Sequence, residues 1–180
     1  DKDSVAKVEI ENNPFQKNLT QQQTEAVKTL SELRGFAPTL LYGVTGSGKT
    51  EVYIRCIQEQ LLQQKSVLLL APEIALTPQL EQRVKDQFGP AVGMYHSKMT
   101  PAKRYKAWKQ FRAGEINILI GTRSAAMMSA PKLGLIIIDE EHDASYKQHE
   151  GFKFSARDLA IKRAQMLKIP IILGSATPSL

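Results

Sequence analysis

Six short, nearly unbroken runs of Ile, Leu and Val recur along this chain, separated by longer stretches of helical spacing, and no other feature limits the fold so strongly. The runs lie at 39–42, 67–71, 92–95, 116–121, 135–139 and 171–174. A strand with one wet face alternates polar and apolar residues, so unbroken runs predict strands covered on both faces. Between them the pattern predicts helices at 49–63, 78–88, 101–113 and 156–168. Thr77, Thr100 and Ser155 serve as N-caps, and Pro78 and Pro101 take first helical positions. A further helix opens at the capping-box pattern Thr20 to Gln23, turns Ala26, Val27, Leu30 and Leu33 inward, and is stopped by Gly35. Strand–helix–strand alternation of this kind implies an α/β domain with a mostly parallel central sheet and helices on both faces. Its ligand belongs at the carboxyl ends of the strands. Residues 1–18 are polar, contain Pro14 and lack a hydrophobic period, which predicts a linker or tail before a domain spanning 19–180.

The octapeptide Gly43, Val44, Thr45, Gly46, Ser47, Gly48, Lys49, Thr50 fits G-x-x-x-x-G-K-[ST], and it follows one apolar run and opens one helix. Glycines at these positions let successive backbone N–H groups curl around a polyphosphate at the helix N-terminus. Lys49 offsets phosphate charge, and Thr50 is placed to ligate Mg²⁺. The run at 135–138 ends abruptly in Asp139, Glu140, Glu141 and His142. A buried strand avoids charge at its tip unless the charge has a use. Asp139 is the second candidate for Mg²⁺, and Glu140 is the candidate base for an attacking water, which favours hydrolysis over transfer to a bound acceptor. Strand alternation turns Glu140 to a different side from Asp139.

The 24 Lys and Arg against 18 Asp and Glu give a net charge of +6, which suits a polyanionic partner without specifying one. Cys56 is the lone cysteine, and His96, His142 and His149 have no zinc-ligand spacing. A reducing, cytoplasmic setting follows. No apolar run approaches the roughly 20 residues of a membrane span.

With Ser175-Ala-Thr177, the phosphate loop and the acidic tetrapeptide stand in the order of the superfamily-two, DExH-type helicases. The sequence resembles most the bacterial primosomal replication-restart helicases of that class. The matching segments are G-V-T-G-S-G-K-T-E-V-Y from Gly43, A-P-E-I-A-L-T-P-Q from Ala71, G-T-R-S from Gly121, and D-E-E-H-D-x-S-Y-K-Q from Asp139. They continue with E-G-F-K-F-x-A-R-D-L-A from Glu150 and I-I-L-G-S-A-T-P from Ile171. This resemblance implies the first RecA-like P-loop NTPase lobe of an ATP-dependent DNA helicase, with ATP and Mg²⁺ as cofactors. Absence of an N-K-x-D tetrapeptide agrees with ATP. It places Gln23 at the adenine, and Pro72, Glu73, Thr122 and Arg123 in loops holding a single strand by its phosphates. Lys49, Asp139, Glu140 and His142 are the catalytic set.

Tyr146, Lys147, Phe152, Lys153 and Phe154 form an aromatic and basic loop directly after that set. Stacking plus charge suits an unpaired strand, and in the family such a loop couples DNA engagement to hydrolysis, with Ser175 and Thr177 beside it. Packing of these aromatics on the sheet is the alternative. In the stretch 101–113, Tyr105, Trp108 and Phe111 are expected as a core stripe and the five Lys and Arg as a solvated side. His96 and Ser97 read as a polar strand-end pair. The resemblance further implies a second lobe, a zinc-binding region and an amino-terminal DNA-binding region outside this sequence, with zinc confined to the absent part. It also implies DNA, single-stranded and forked, and other replication-restart proteins as partners, with no membrane. Two other readings stay open: another superfamily-two translocase or RNA helicase, or a nucleotide-gated interaction module.

Overall fold

The computed structural model describes residues 18–44, 46–76, 78–148 and 154–176. Six strands form one sheet: β1 (Pro38–Tyr42), β2 (Ser66–Leu70), β3 (Val92–Tyr95), β4 (Ile118–Gly121), β5 (Leu133–Ile138) and β6 (Ile171–Ser175). Their order is β1-β6-β5-β2-β4-β3, and every pairing is parallel. Five helices accompany the sheet: α1 (Gln21–Ser31) leads into β1, and α2 (Lys49–Leu62), α3 (Pro78–Phe88), α4 (Pro101–Ala113) and α5 (Ala156–Leu167) lie in crossovers.

Two cores, one per face, explain the unbroken runs. Val67 and Leu69 of β2 join Ile137 of β5 beneath α1, α2 and α3, whereas Leu68, Leu70, Ile136 and Ile138 point the other way, toward α4 and α5. Each such buried aliphatic side chain contributes about 1.5–3 kcal/mol. All residues of β2, β4 and β6 are buried, while the edge strand β1 alternates exposed and half-buried positions, as one open side requires.

Helix boundaries follow local chemistry. Thr20 and Gln23 close the capping box in both directions, and Thr100 and Ser155 accept backbone bonds from Lys103 and Asp158. The cap expected at Thr77 lies outside the described residues. α1 stops at Ser31, with Glu32 as its C-cap, so Gly35 (φ 66°) turns the chain toward β1 instead of ending the helix. β4 begins two residues later than the run at 116 suggests, because the amides of Glu115 and Ile116 both close α4 on the Gln110 carbonyl. Among the described residues no helix is long and apolar enough to cross a membrane.

In a parallel sheet all carboxyl ends emerge on one edge. The phosphate loop after β1, Ala71 to Glu73 after β2, His96 and Ser97 after β3, Thr122 and Arg123 after β4, Asp139 after β5 and Ala176 after β6 therefore meet there.

Candidate active site

Two glycines bend the phosphate loop: Gly46 (φ 82°) and Gly48 (φ 83°) occupy the left-handed region. Gly48 is doubly constrained, since a Cβ there would stand 2.2 Å from Nε2 of Gln23. That nitrogen donates to the Ser47 carbonyl at 3.1 Å, while Oε1 of the same side chain accepts from the Thr20 amide at 2.9 Å. Gln23 thus joins the start of α1 to the loop from which α2 begins. The base of the loop is fixed by the Gly43 amide, which donates to Ser175 on β6 at 3.0 Å. Val44 is exposed, and Thr45 lies outside the described residues.

Lys49 is the first residue of α2. Its Nζ donates to the Gly43 carbonyl at 2.6 Å and stands 3.5 Å from Oε1 of Glu140. The Glu140 carboxylate reaches Lys49 because its backbone takes φ 47°, a left-handed conformation that costs a non-glycine residue on the order of 1 kcal/mol. The extended alternation expected at the strand tip would have turned it to another side. Around this turn the Asp139 amide donates to Leu70 and the Glu141 amide to Gly174.

Asp139 is gripped from several sides. Its Oδ1 accepts from the Tyr53 hydroxyl at 2.9 Å, and its backbone carbonyl accepts from the Tyr146 hydroxyl at 2.5 Å. Burial pushes the Asp139 carboxyl above the usual carboxylate range, and the Tyr53 hydrogen bond opposes that push. Both phenols are held well above their ordinary range, first by burial and then by the Asp139 charge. They remain protonated donors.

The third carboxylate has another task. Glu141 is buried and forms an ion pair with Arg157 of α5 at 2.8 Å. His142 places Nδ1 3.2 Å from the Ser175 hydroxyl and Nε2 3.8 Å from Glu140, so it bridges β6 and the Glu140 carboxylate. Thr177 lies outside the described residues.

The expected strand-facing residues divide by exposure. Glu73 is exposed and accepts from the Ser97 hydroxyl at 2.7 Å, which gives the His96–Ser97 corner a structural link to the loop after β2. Arg123 donates to the Lys147 carbonyl at 2.9 Å and the Ser145 carbonyl at 3.3 Å, tying the loop after β4 to the aromatic loop. Pro72, Thr122 and Ser175 are buried and present no surface to a strand.

Tyr146 corrects its expected stacking role. At 2 % exposure it sits among Ile136, Ile138, Ala156 and Ala160, where the two alanines of α5 leave room for a ring. Phe154 packs partly against the same cluster, and Lys147 is exposed. Phe152, Lys153 and His149 lie outside the described residues.

The core stripe expected of α4 is also corrected. Ala107 and Phe111, one turn apart, are buried, but Tyr105 is 61 % exposed and meets Trp108 in a tilted ring pair with centroids 5.5 Å apart. Arg112 lies 5.4 Å above the same indole. α4 covers the β3 edge of the sheet, so only a narrow strip of it finds a partner.

Sequence reasoning missed Tyr53 and Arg157. Both stand in the quoted segments, Tyr53 four residues after Lys49 and therefore on the same helix face, but neither belongs to a residue pattern with a chemistry of its own.

Fold and site together define the class: a RecA-like lobe with a phosphate-loop sequence and, 3.5 Å from its lysine, a carboxylate suited to activating water. A family model described as DEAD/DEAH box helicase matches residues 20–179, and the chain belongs to that family. It is 49 % identical over 163 residues to Replication restart protein PriA of Synechocystis, covering 90 % of this chain and 20 % of that protein. The Haemophilus influenzae protein of the same name is 50 % identical over 162 residues, covering 90 % of this chain and 22 % of that protein. The chain thus spans about a fifth of the length of these relatives. Among solved structures, RecG bound to a three-way DNA junction aligns with TM-score 0.66 at 26 % identity, over 90 % of this chain and 21 % of that one. The Pyrococcus furiosus Hef helicase domain aligns with TM-score 0.61 at 22 % identity over 88 % of this chain and 33 % of that one, a likeness of fold.

Proposed function

We propose that these residues are the first motor lobe of an ATP- and Mg²⁺-dependent DNA helicase that opens DNA at stalled replication forks and restarts replication by primosome assembly. The observation that carries the reading is the meeting of Lys49 and Glu140 at 3.5 Å beside the half-buried Asp139. Lys49 draws in the terminal phosphates, and Glu140 orients and deprotonates the attacking water. Thr50 and Asp139 would hold the Mg²⁺. Among the described residues no three His, Cys, Asp or Glu side chains gather to hold an ion unaided. One half-buried carboxylate and a threonine instead suit an ion delivered with the phosphates, where it neutralises developing charge. A nucleotide-gated interaction module has no need of a carboxylate in the place of Glu140.

Arg123, Glu73 and the exposed Lys147 lie in loops at the same sheet edge, which supports a single DNA strand as the partner, with forked DNA presenting it. PriA relatives support replication-restart partner proteins and a bacterial cytoplasmic setting. The test is ATP hydrolysis by the complete protein with single-stranded DNA, forked DNA and RNA. Strong stimulation by both DNAs and little by RNA is expected. Equal stimulation by RNA would favour an RNA helicase, and hydrolysis indifferent to nucleic acid would contradict the motor reading.

A further inference from the structure

We propose that Tyr53 is a positioning residue for the nucleotide-bound cation, acting through Asp139; the inference rests on the placement of Asp139 at Mg²⁺ proposed above. In α2, Tyr53 follows Lys49 by four residues and Thr50 by three, so one helix face carries the phosphate cation, the candidate metal hydroxyl and the phenol. The phenol is 2 % exposed, and its hydroxyl meets Oδ1 of Asp139 at 2.9 Å. Space for that contact depends on Gly174 of β6. A Cβ there would stand 1.8 Å from the Tyr53 hydroxyl oxygen and 3.2 Å from Oδ1 of Asp139. The carbonyl of Asp139 is independently held by Tyr146 and its amide by Leu70. With the backbone fixed, the Tyr53 bond decides the rotation of the carboxylate. A neutral donor on a metal-binding carboxylate orients it without competing for the charge, and loss of such a donor lowers metal affinity about ten-fold or more.

Calorimetric titration of ADP into the complete protein, across a range of Mg²⁺ concentrations and in chelator, tests the inference. Tyr53→Phe removes only the hydroxyl. It should raise the Mg²⁺ needed for half of the metal-dependent gain in ADP affinity about ten-fold, leave ADP affinity in chelator unchanged, and melt close to the wild-type temperature. A purely packing role would lower the melting temperature and leave the Mg²⁺ requirement alone, which overturns the inference. Because Tyr53 acts through Asp139, the double variant Tyr53→Phe/Asp139→Asn should match Asp139→Asn in Mg²⁺ requirement. Additive losses would again overturn the inference. If Tyr53→Phe fails to fold, Tyr146→Phe gives a second reading: it frees the Asp139 carbonyl, and should shift the Mg²⁺ requirement in the same direction by a smaller factor. No shift there would also count against a held Asp139. Wild-type ADP affinity that ignores Mg²⁺ would remove Asp139 from the metal site, and this inference with it.

Discussion

Asp139 carries opposed demands: the proposed metal role needs it charged, and burial favours it neutral. In acid, below about pH 4, it is protonated in folded and unfolded chains alike. As pH rises the unfolded chain ionises first, near the ordinary carboxyl value of 3.8, while the half-buried folded group keeps its proton. Stability therefore falls through that window, and the cost persists once the folded group ionises. Asp139→Asn retains an acceptor for Tyr53 and removes the charge. In chelator it should melt above the wild type at neutral pH, with the gap closing as pH falls toward 4. A gap independent of pH would show that burial does not govern this carboxyl. At this scale the sequence displayed Lys49, Asp139 and Glu140 openly, since a charged tip on a buried strand needs a reason. It concealed how Glu140 meets Lys49, because a left-handed residue (φ 47°) breaks the alternation that strand reasoning extends. The Tyr53 contact was concealed too, since it spans 86 positions.

Among the elements, strands and helices were legible because a strand buried on both faces leaves an unbroken apolar run and helix caps have distinctive chemistry. Faces were less so. Phe111 and Ala107 turn into the core, but Tyr105 stays outside, since an edge helix needs only a narrow apolar strip. The aromatic loop mixes both fates: Tyr146 is an internal strut, Lys147 is exposed, and Arg123 holds the carbonyls on either side of Tyr146. A strand phosphate that recruits Arg123 would thus disturb the support of Asp139. Replacing Phe152 and Phe154 together with Ala in the complete protein should lower the ratio of DNA-stimulated to DNA-free ATP hydrolysis several-fold. A stacked base contributes about 1–3 kcal/mol, enough to shift a two-state equilibrium several-fold. Melting temperature must accompany the assay, because Phe154 also packs on the core. An unchanged ratio in a stable variant would assign the loop to packing.

For the whole molecule, the all-parallel order β1-β6-β5-β2-β4-β3 converts scattered sequence segments into one functional edge. The phosphate loop, Glu140 and the loops after β2 and β4 share that edge, where hydrogen bonds join His142 to Ser175 and Tyr146 to Asp139. The most direct test of the central claim compares ATP binding and single-stranded-DNA-stimulated hydrolysis in the complete protein and two variants. Lys49→Ala should weaken nucleotide binding itself, whereas Glu140→Gln should bind ATP nearly as the wild type and hydrolyse it at least about a hundred-fold more slowly. Equal loss of ATP affinity in both, or DNA-stimulated turnover surviving in Glu140→Gln, would contradict the account.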